Sequence, residues 1–205
     1  MNTSFQITLS YIQSELGNAF QEHFGDIANI AIVRGDICSL DVDAIVSPAN
    51  SFGFMDGGLD LALSNRFGWD VEKRLKREIQ SRPIRELLVG ESITIETYDK
   101  KVPWIISAPT MRVPMRLRQT VNAYLAMKAI LAAILEHNLN PVINHIAIPG
   151  LGTGSGHLSA EVSAAQMRQA YDEIIDDKGD YPADFVTAQK EHLKLNPEEI
   201  NLWDV

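Results

Sequence analysis

Hydrophobic residues fall into two kinds of pattern along this chain, short apolar or alternating runs and longer stretches with helical spacing. Runs of four to eight such residues that end in Gly, Pro, Asn or Asp are typical of β-strands. The first run, residues 5–9, is expected to be an edge strand. The predicted strands are residues 5–9, 30–33, 44–46, 92–97, 104–107 and 145–148.

Apolar residues at three- and four-residue spacing predict four helices between these strands. They cover residues 11–24, 59–80, 117–137 and 159–175. Ser159 stands where an N-cap is expected, because its hydroxyl can accept from a free amide of the first turn. For the longest helix, the predicted buried stripe is Val121, Leu125, Ala129, Ala132 and Leu135.

Strands that alternate with helices favour an α/β fold. We predict a three-layer α/β/α sandwich with a mixed, largely parallel central sheet covered on both faces. Residues 1–175 are assigned to one domain, whose motif-bearing part is residues 30–175. Residues 176–205 are predicted to form a helical extension packed on the same domain, with Tyr181 and Phe185 in its core.

Composition narrows the possible classes of protein. With 205 residues, of which 45% are hydrophobic, the chain can bury one sizeable core. The formal charge of -9 repels polyanions, so no nucleic-acid partner is expected. The single cysteine, Cys38, excludes an intrachain disulfide and a cysteine zinc site. No other metal-ligand spacing stands out, so neither a metal nor a cofactor is expected.

The ends of the chain and its apolar runs bear on location. The N-terminus lacks the basic start and apolar core of a signal peptide, and no apolar stretch approaches the length that spans a membrane. We therefore expect a cytoplasmic protein without a membrane partner.

A glycine-rich loop follows the last predicted strand and precedes a helix, which is a setting where backbone amides can hold phosphate. Ser155 and His157 stand where dinucleotide-binding fingerprints need glycine, and the chain lacks the Gly-Lys-Ser/Thr of a triphosphate-binding loop. The serine-hydrolase elbow fails as well, because Thr153 and His157 occupy its glycine positions. A phosphate-holding turn and a plain tight turn remain open.

Three segments, in order, resemble the macrodomain family. They are Val33-Arg34-Gly35-Asp36-Ile37, Ser47-Pro48-Ala49-Asn50 followed by Gly57-Gly58-Leu59-Asp60, and the loop from Gly150 to Gly156. The resemblance extends over residues 30–175 and is partly to the hydrolytic MacroD-type branch. It implies that the ligand is ADP-ribose or an ADP-ribosylated substrate.

The resemblance also implies roles for single residues. Asp36 would accept a hydrogen bond from the adenine amino group, and Ile37 would add a backbone amide and an apolar wall. Asn50 would bind the distal ribose. The alternatives are a solvated turn aspartate and a turn-closing asparagine. The implied ligand-binding residues are Asp36, Ile37, Asn50, Gly57, Gly58, Leu59, Gly150, Gly152, Thr153, Gly154, Ser155, Gly156 and His157.

Catalysis is assigned by the same resemblance to Asn50 and Asp60. Asp60 follows Asn50 by ten residues, as the catalytic aspartate does in the hydrolytic branch, and would orient a water molecule at the anomeric carbon. It is equally placed to be a carboxylate that stabilises a helix start. The resemblance therefore implies an ADP-ribose-binding protein that hydrolyses an ADP-ribosyl bond on protein or a small derivative. Alternatives are a non-catalytic reader, an ADP-ribose 1''-phosphate phosphatase and a module for another nucleotide or a protein.

The chain departs from the family pattern at several positions. Ser47 replaces an asparagine, Met55 and Asp56 occupy glycine-rich positions, and Gly156 stands where the hydrolytic branch has an aromatic residue. No final strand is expected after the helix that begins at Ser159, so the residue that stacks on adenine cannot be assigned, although Tyr181 or Phe185 could take that place. Met111 is expected to line the pocket. Outside the motifs, His145 is expected to be structural and residues 73–77 a solvated helix face. Arg112, Arg116 and Arg118 fit either such a face or a cleft rim.

Overall fold

The computed structural model describes residues 5–137 and 143–196. The strands are β1 (Gln6–Tyr11), β2 (Ile30–Arg34), β3 (Ala44–Ser47), β4 (Ile93–Glu96), β5 (Trp104–Ser107) and β6 (His145–Ile148). The helices are α1 (Ser14–Phe24), α2 (Gly58–Phe67), α3 (Asp70–Ser81), α4 (Asn122–His137), α5 (Ala160–Ile174) and α6 (Phe185–Leu195). A single 3-10 turn, Ile37–Ser39, follows β2.

The six strands form one sheet in the order β2-β1-β6-β3-β5-β4. Every neighbouring pair is parallel except β4 and β5, which confirms the mixed, largely parallel sheet. The expectation that the first strand lies at an edge was wrong. Ile7 of β1 pairs with Ile30 on one side and with Ile146 on the other, so β2 and β4 are the edges.

Two apolar cores lie on opposite faces of this sheet, which gives the predicted three layers. Residues that alternate along one strand belong to different cores, as Ile105 and Ile106 of β5 do. The face of Ile106 is covered by α1, α4 and α5, whereas the face of Ile105 is covered by α2 and α3. Burial on both faces explains the apolar runs of β3, β5 and β6.

Two helix predictions needed correction. Residues 59–80 form two helices, because Gly68 has a φ of 84° that ends α2 before α3 begins. In α4 the buried face is not the predicted stripe: of that stripe only Ala129 is buried, and Leu135 is 37% exposed. The fully buried α4 residues are Ala123, Ala126, Met127, Ile130, Leu131 and Ile134.

After α5 the described chain contains one more helix and no strand. The predicted N-cap is confirmed, since the Ser159 hydroxyl accepts from the Val162 amide at 3.2 Å. Tyr181 and Phe185, expected in the core, are 96% and 71% exposed, so that expectation was wrong. The Gln166 side chain donates to the Leu195 carbonyl at 3.0 Å, which ties the end of α6 to α5. The rest of the predicted extension, residues 197–205, lies outside the described residues.

The length and hydropathy of a helix decide whether it can span a membrane. None of the helices in the described ranges is long and apolar enough to cross a bilayer.

A candidate ligand-binding cleft

A cleft of about 450 Å³ opens at the carboxyl ends of the parallel strands. Its walls come from the loops after β1, β2, β3, β5 and β6. From β2 to β5 the sheet order covers four strand spacings, roughly 19 Å, which is room for an extended ligand. The three motif segments meet here, with Asp36 at the β2 end, the glycine-rich loop in the middle and Asn50 with Asp60 toward β5.

The glycine-rich loop presents unused backbone donors. Its shape is fixed by hydrogen bonds from the His157 amide to the Gly154 carbonyl and from the Leu158 amide to the Gly152 carbonyl, at 3.0 and 3.1 Å. Within the described ranges, no protein acceptor bonds the amides of residues 153–156. Thr153, Gly154, Ser155 and Gly156 all line the cleft, so their N–H groups are available to an anion.

The glycines of the cleft serve two different purposes. A Cβ on Gly150 would lie 2.6 Å from Leu16, and one on Gly156 would lie 2.5 Å from the Gly152 carbonyl oxygen, so these two are needed for packing. A Cβ on Gly57, Gly58 or Gly154 would meet nothing within 4 Å. Gly57 and Gly154 keep space in the cleft open for a ligand to approach the backbone, whereas Gly58 is also required by its φ of 55°.

The start of α2 supplies further donors next to Gly154. Its N-cap, Gly57, has no side chain to accept from the first-turn amides. Gly57, Gly58 and Leu59 line the cleft, and the positive end of the helix dipole lies there. Two separate sets of backbone amides therefore line one cleft.

Asp36 is exposed, lines the cleft and caps the 3-10 turn after β2. One of its carboxylate oxygens, Oδ1, accepts from the Cys38 amide at 2.9 Å, so the other oxygen is left for a ligand. Ile37 lines the same end. Burial, with help from the Asp36 charge, raises the pKa of the Cys38 thiol to about 11, so the thiol is protonated at neutral pH and is a poor nucleophile.

Asn50 lines the cleft, but its side chain is bonded within its own loop. Its Oδ1 accepts from the amides of Phe52 and Phe54 at 3.1 and 3.2 Å, and its Nδ2 donates to the Phe54 carbonyl at 2.8 Å. These bonds form the turn that the alternative interpretation of Asn50 predicts. One Nδ2 hydrogen remains for a ligand.

Asp60 lies in the first turn of α2 at the cleft wall and is 8% exposed. The hydroxyl of Ser47, which is fully buried at the end of β3, donates to its Oδ1. Burial raises the pKa of Asp60 to about 6; the Ser47 hydrogen bond opposes this shift, and the charges of Asp56 and Glu72 add to it. A carboxyl group with such a pKa exchanges protons near neutral pH.

Some predicted residues lie elsewhere. His157 is exposed and is not among the residues that line the cleft. Arg116 and Arg118 line a separate surface pocket with Gln119 and Thr120, and Arg112 is paired with Glu86 at 2.7 Å. His145 hydrogen-bonds to Thr8 at 2.8 Å, as a structural histidine does. Met111 lines the cleft as expected.

The cleft residues that sequence reasoning missed include Tyr11, Phe54 and Thr110. Phe54 is 51% exposed, and the Lys76 ammonium lies 4.2 Å from its ring centroid. The Thr110 hydroxyl is buried, and within the described chain it has no hydrogen-bond partner. The signal for Phe54 was its position between Asn50 and Gly57, in a loop already assigned to the site.

Comparison with known proteins identifies the family. Residues 46–167 match the Macro domain family. The chain is 32% identical over 139 residues to an uncharacterized protein of Aquifex aeolicus, covering 68% of this chain and 78% of that protein. It is 31% identical over 178 residues to a macro domain-containing protein of Listeria monocytogenes, covering 84% of this chain and 97% of that one. This chain therefore belongs to the macrodomain family.

The fold is also similar to solved macrodomains. A mutant of the Oceanobacillus iheyensis macrodomain with ADPR matches this chain with a TM-score of 0.58 at 22% identity. The match covers 80% of this chain and 91% of that structure.

Proposed function

We propose that this macrodomain binds ADP-ribose, free or attached to a protein or a small molecule. The observation that carries the proposal is the meeting of two sets of unpaired amides, from the Gly154 loop and the α2 N-terminus, in one cleft. A diphosphate needs several such donors and, in this arrangement, no basic side chain. The ADPR named with the Oceanobacillus macrodomain agrees with this ligand.

In the proposed pose the ligand runs across the strand tips. Adenine lies at the β2 end, where the free oxygen of Asp36 accepts from its amino group and Ile37 packs against it. The diphosphate lies between Gly154 and the start of α2. The distal ribose lies at the β3 and β5 end, beside Asn50 and Asp60.

We further propose that the protein hydrolyses an ADP-ribosyl bond, with Asp60 as general base. Above a pH of about 6 its carboxylate accepts a proton from a water molecule whose oxygen bonds to the anomeric carbon. The bond from that carbon to the leaving group breaks, and its electron pair goes with the leaving group. The amides that hold the diphosphate fix the distance between the ribose and the water. Burial of Asp60 keeps its pKa close to the pH at which it works.

A reader that binds without turnover is the second candidate function. The observation that favours it is the local bonding of both assigned catalytic side chains: Asn50 closes its own turn, and Asp60 is bonded to Ser47. Binding and catalysis therefore need separate experiments.

Binding is tested by calorimetric titration of ADP-ribose into the wild type, Asp36→Asn and Asp36→Ala. Asp36→Asn retains an oxygen for the Cys38 amide, so it changes the charge without removing the cap. Loss of a hydrogen bond to a charged group is expected to weaken binding by about tenfold or more in both variants. A wild type that does not bind, or variants that bind equally well, would contradict the proposal.

Catalysis is tested by incubation with a mono-ADP-ribosylated protein and measurement of released ADP-ribose. The wild type should release it, and Asp60→Asn should not, although Asp60→Asn still binds ADP-ribose. Binding by the wild type without release assigns the protein to the reader class.

Two further expectations remain proposals. The cytoplasm is the proposed location, since the single cysteine fits a reducing compartment. Residues 176–205 are proposed to belong to the same domain as residues 1–175, a view that the bond between Gln166 and the Leu195 carbonyl supports.

A further inference from the structure

The cleft has an unusual balance of charge for a site that holds a diphosphate. Its lining residues include the carboxylates of Asp36, Asp56 and Asp60, and, in the part of the chain that the structure describes, they include no Lys, Arg or His. Anion binding in the middle therefore depends on uncharged donors, chiefly backbone amides. The β3 and β5 end, where Asp56 and Asp60 lie, carries only negative side-chain charge.

Two basic side chains beside cleft residues, Lys76 over Phe54 and Arg112 next to Met111 in the chain, are paired with carboxylates. Lys76, which lies over the Phe54 ring, is bonded to Glu72. Arg112 makes two bonds to the Glu86 carboxylate, at 2.9 and 2.7 Å. A negatively charged group on the ligand would have to displace a carboxylate to reach either cation.

Asp56 is the exposed carboxylate at this end. It lines the cleft just before Gly57, and within residues 5–137 and 143–196 it has no hydrogen bond or ion pair. Its charge contributes to the raised pKa of Asp60, which indicates that its field reaches the interior of the site. An unpaired carboxylate at a cleft wall repels a negative group on a ligand beside it, with a strength that solvent and salt reduce.

The same end has an uncharged donor that lacks a partner. The buried Thr110 hydroxyl lines the cleft and has no acceptor among the described residues. A buried hydroxyl without a partner is costly, and a ligand oxygen would satisfy it. The terminal ribose of ADP-ribose carries such oxygens.

We propose that this end accepts a terminal ribose whose anomeric carbon carries an uncharged or cationic group, and that Asp56 discriminates against a phosphate there. The proposal rests on the ADP-ribose binding proposed above. A phosphate monoester carries a charge of about -1.5 to -2 at neutral pH, which the unpaired carboxylate repels. Side-chain conjugates of proteins fit the site, and ADP-ribose 1''-phosphate does not.

Calorimetric titration with ADP-ribose and with ADP-ribose 1''-phosphate tests this selectivity. For the wild type, we expect the dissociation constant of ADP-ribose 1''-phosphate to exceed that of ADP-ribose by a ratio of about ten. Asp56→Asn should reduce this ratio to about twofold, because it removes the charge and retains the shape of the side chain. Asp180→Asn, which removes an exposed charge that does not line the cleft, is the matched control and should leave the ratio unchanged.

Salt gives a second measure of the same effect. Raising the salt concentration from about 50 mM to about 500 mM should lower the ratio of the two dissociation constants in the wild type, because exposed charges are screened. Equal or tighter binding of the phosphate by the wild type overturns the proposal, and so does an unchanged ratio in Asp56→Asn. If neither ligand binds the wild type, the proposed ADP-ribose site itself has failed, which is a different result.

Discussion

The hydroxyl of Ser47 donates a hydrogen bond to the carboxylate of Asp60, and both groups are buried between β3 and α2. Ser47 stands where the family pattern has asparagine, and in this chain the serine at that position is hydrogen-bonded to Asp60. The bond holds one oxygen of Asp60 against the end of the sheet. It also lowers the cost of burying the charge, because a hydrogen bond to a carboxylate stabilises the ionised form.

Replacement of Ser47 with alanine should raise the pKa of Asp60 further, because the one interaction that lowers it is removed. In a titration followed by NMR, the Asp60 carboxyl should then change protonation at a higher pH than in the wild type. If the protein is a hydrolase that uses the carboxylate as base, the rising limb of its pH–rate profile should move the same way. Ser81→Ala, at the exposed end of α3, is the control. Identical midpoints in wild type and Ser47→Ala would show that the hydroxyl does not act on Asp60.

Asp60→Asn should stabilise the fold at neutral pH. The folded pKa, about 6, is above the ordinary value of 3.8, so the folded state holds the proton more tightly and the wild type loses stability as pH rises from about 4 to about 6. The loss is about 2 to 3 kcal/mol and is constant above that window. Asparagine carries no charge, so the Asp60→Asn variant does not lose this stability.

Urea unfolding at a series of pH values measures this difference. The free energies of unfolding of wild type and Asp60→Asn should be close at pH values below the window and should separate above it. Asp180→Asn, which removes an exposed charge, should not show this separation. A difference between Asp60→Asn and wild type that stays constant with pH would be inconsistent with a raised Asp60 pKa.

The two kinds of glycine predict opposite phenotypes. Gly154→Val places a side chain in open cleft space, so it should weaken ADP-ribose binding while the melting temperature changes little. Gly156→Ala forces a Cβ against the Gly152 carbonyl and Leu117, so it should cost about 1 to 3 kcal/mol of stability. Thermal denaturation and calorimetry on both variants separate the two effects. A destabilised Gly154→Val would mean that residue 154 does not face open space.

Phe54 is expected to be a contact residue for the distal part of the ligand. Phe54→Ala should weaken ADP-ribose binding by about three- to tenfold, the range for loss of one aromatic contact. Phe52→Ala is the matched control, since Phe52 lies two residues away, contacts Phe54 and does not line the cleft. Equal affinities of Phe54→Ala and wild type would remove Phe54 from the site.

The strand tips and the cleft were predictable from sequence because Gly, Pro, Asn and Asp mark the ends of the strands. Parallel strands bring those ends together regardless of their order in the sheet. Asp36 and Gly154 could therefore be assigned to one cleft, although they are far apart in sequence. The interior position of β1 was not predictable, because pairing partners are set by long-range packing and its apolar pattern fits an edge or a centre equally well.

The other features that the sequence did not predict have physical causes of the same kind. Helix α4 is apolar on nearly every side, so periodicity could not identify the face that packs on the sheet. The break at Gly68 depends on its positive φ, which a charged amphipathic pattern does not reveal. The bonds of Asn50 to Phe54 and of Ser47 to Asp60 depend on side-chain geometry that a sequence does not show. Two interpretations of Asn50 and two of Asp60 were therefore left open by the sequence.

The tight packing of Gly156 constrains how this cleft can change over evolution. The hydrolytic branch that the chain resembles has an aromatic residue at this position, but here Leu117 and the Gly152 carbonyl occupy the volume into which a side chain would grow. A single substitution cannot restore that aromatic residue, because the loop and the segment before α4 would have to move together. In this chain the exposed aromatic ring at the Asn50 end of the cleft is instead Phe54, which belongs to the loop after β3 and can be changed without moving the glycine-rich loop.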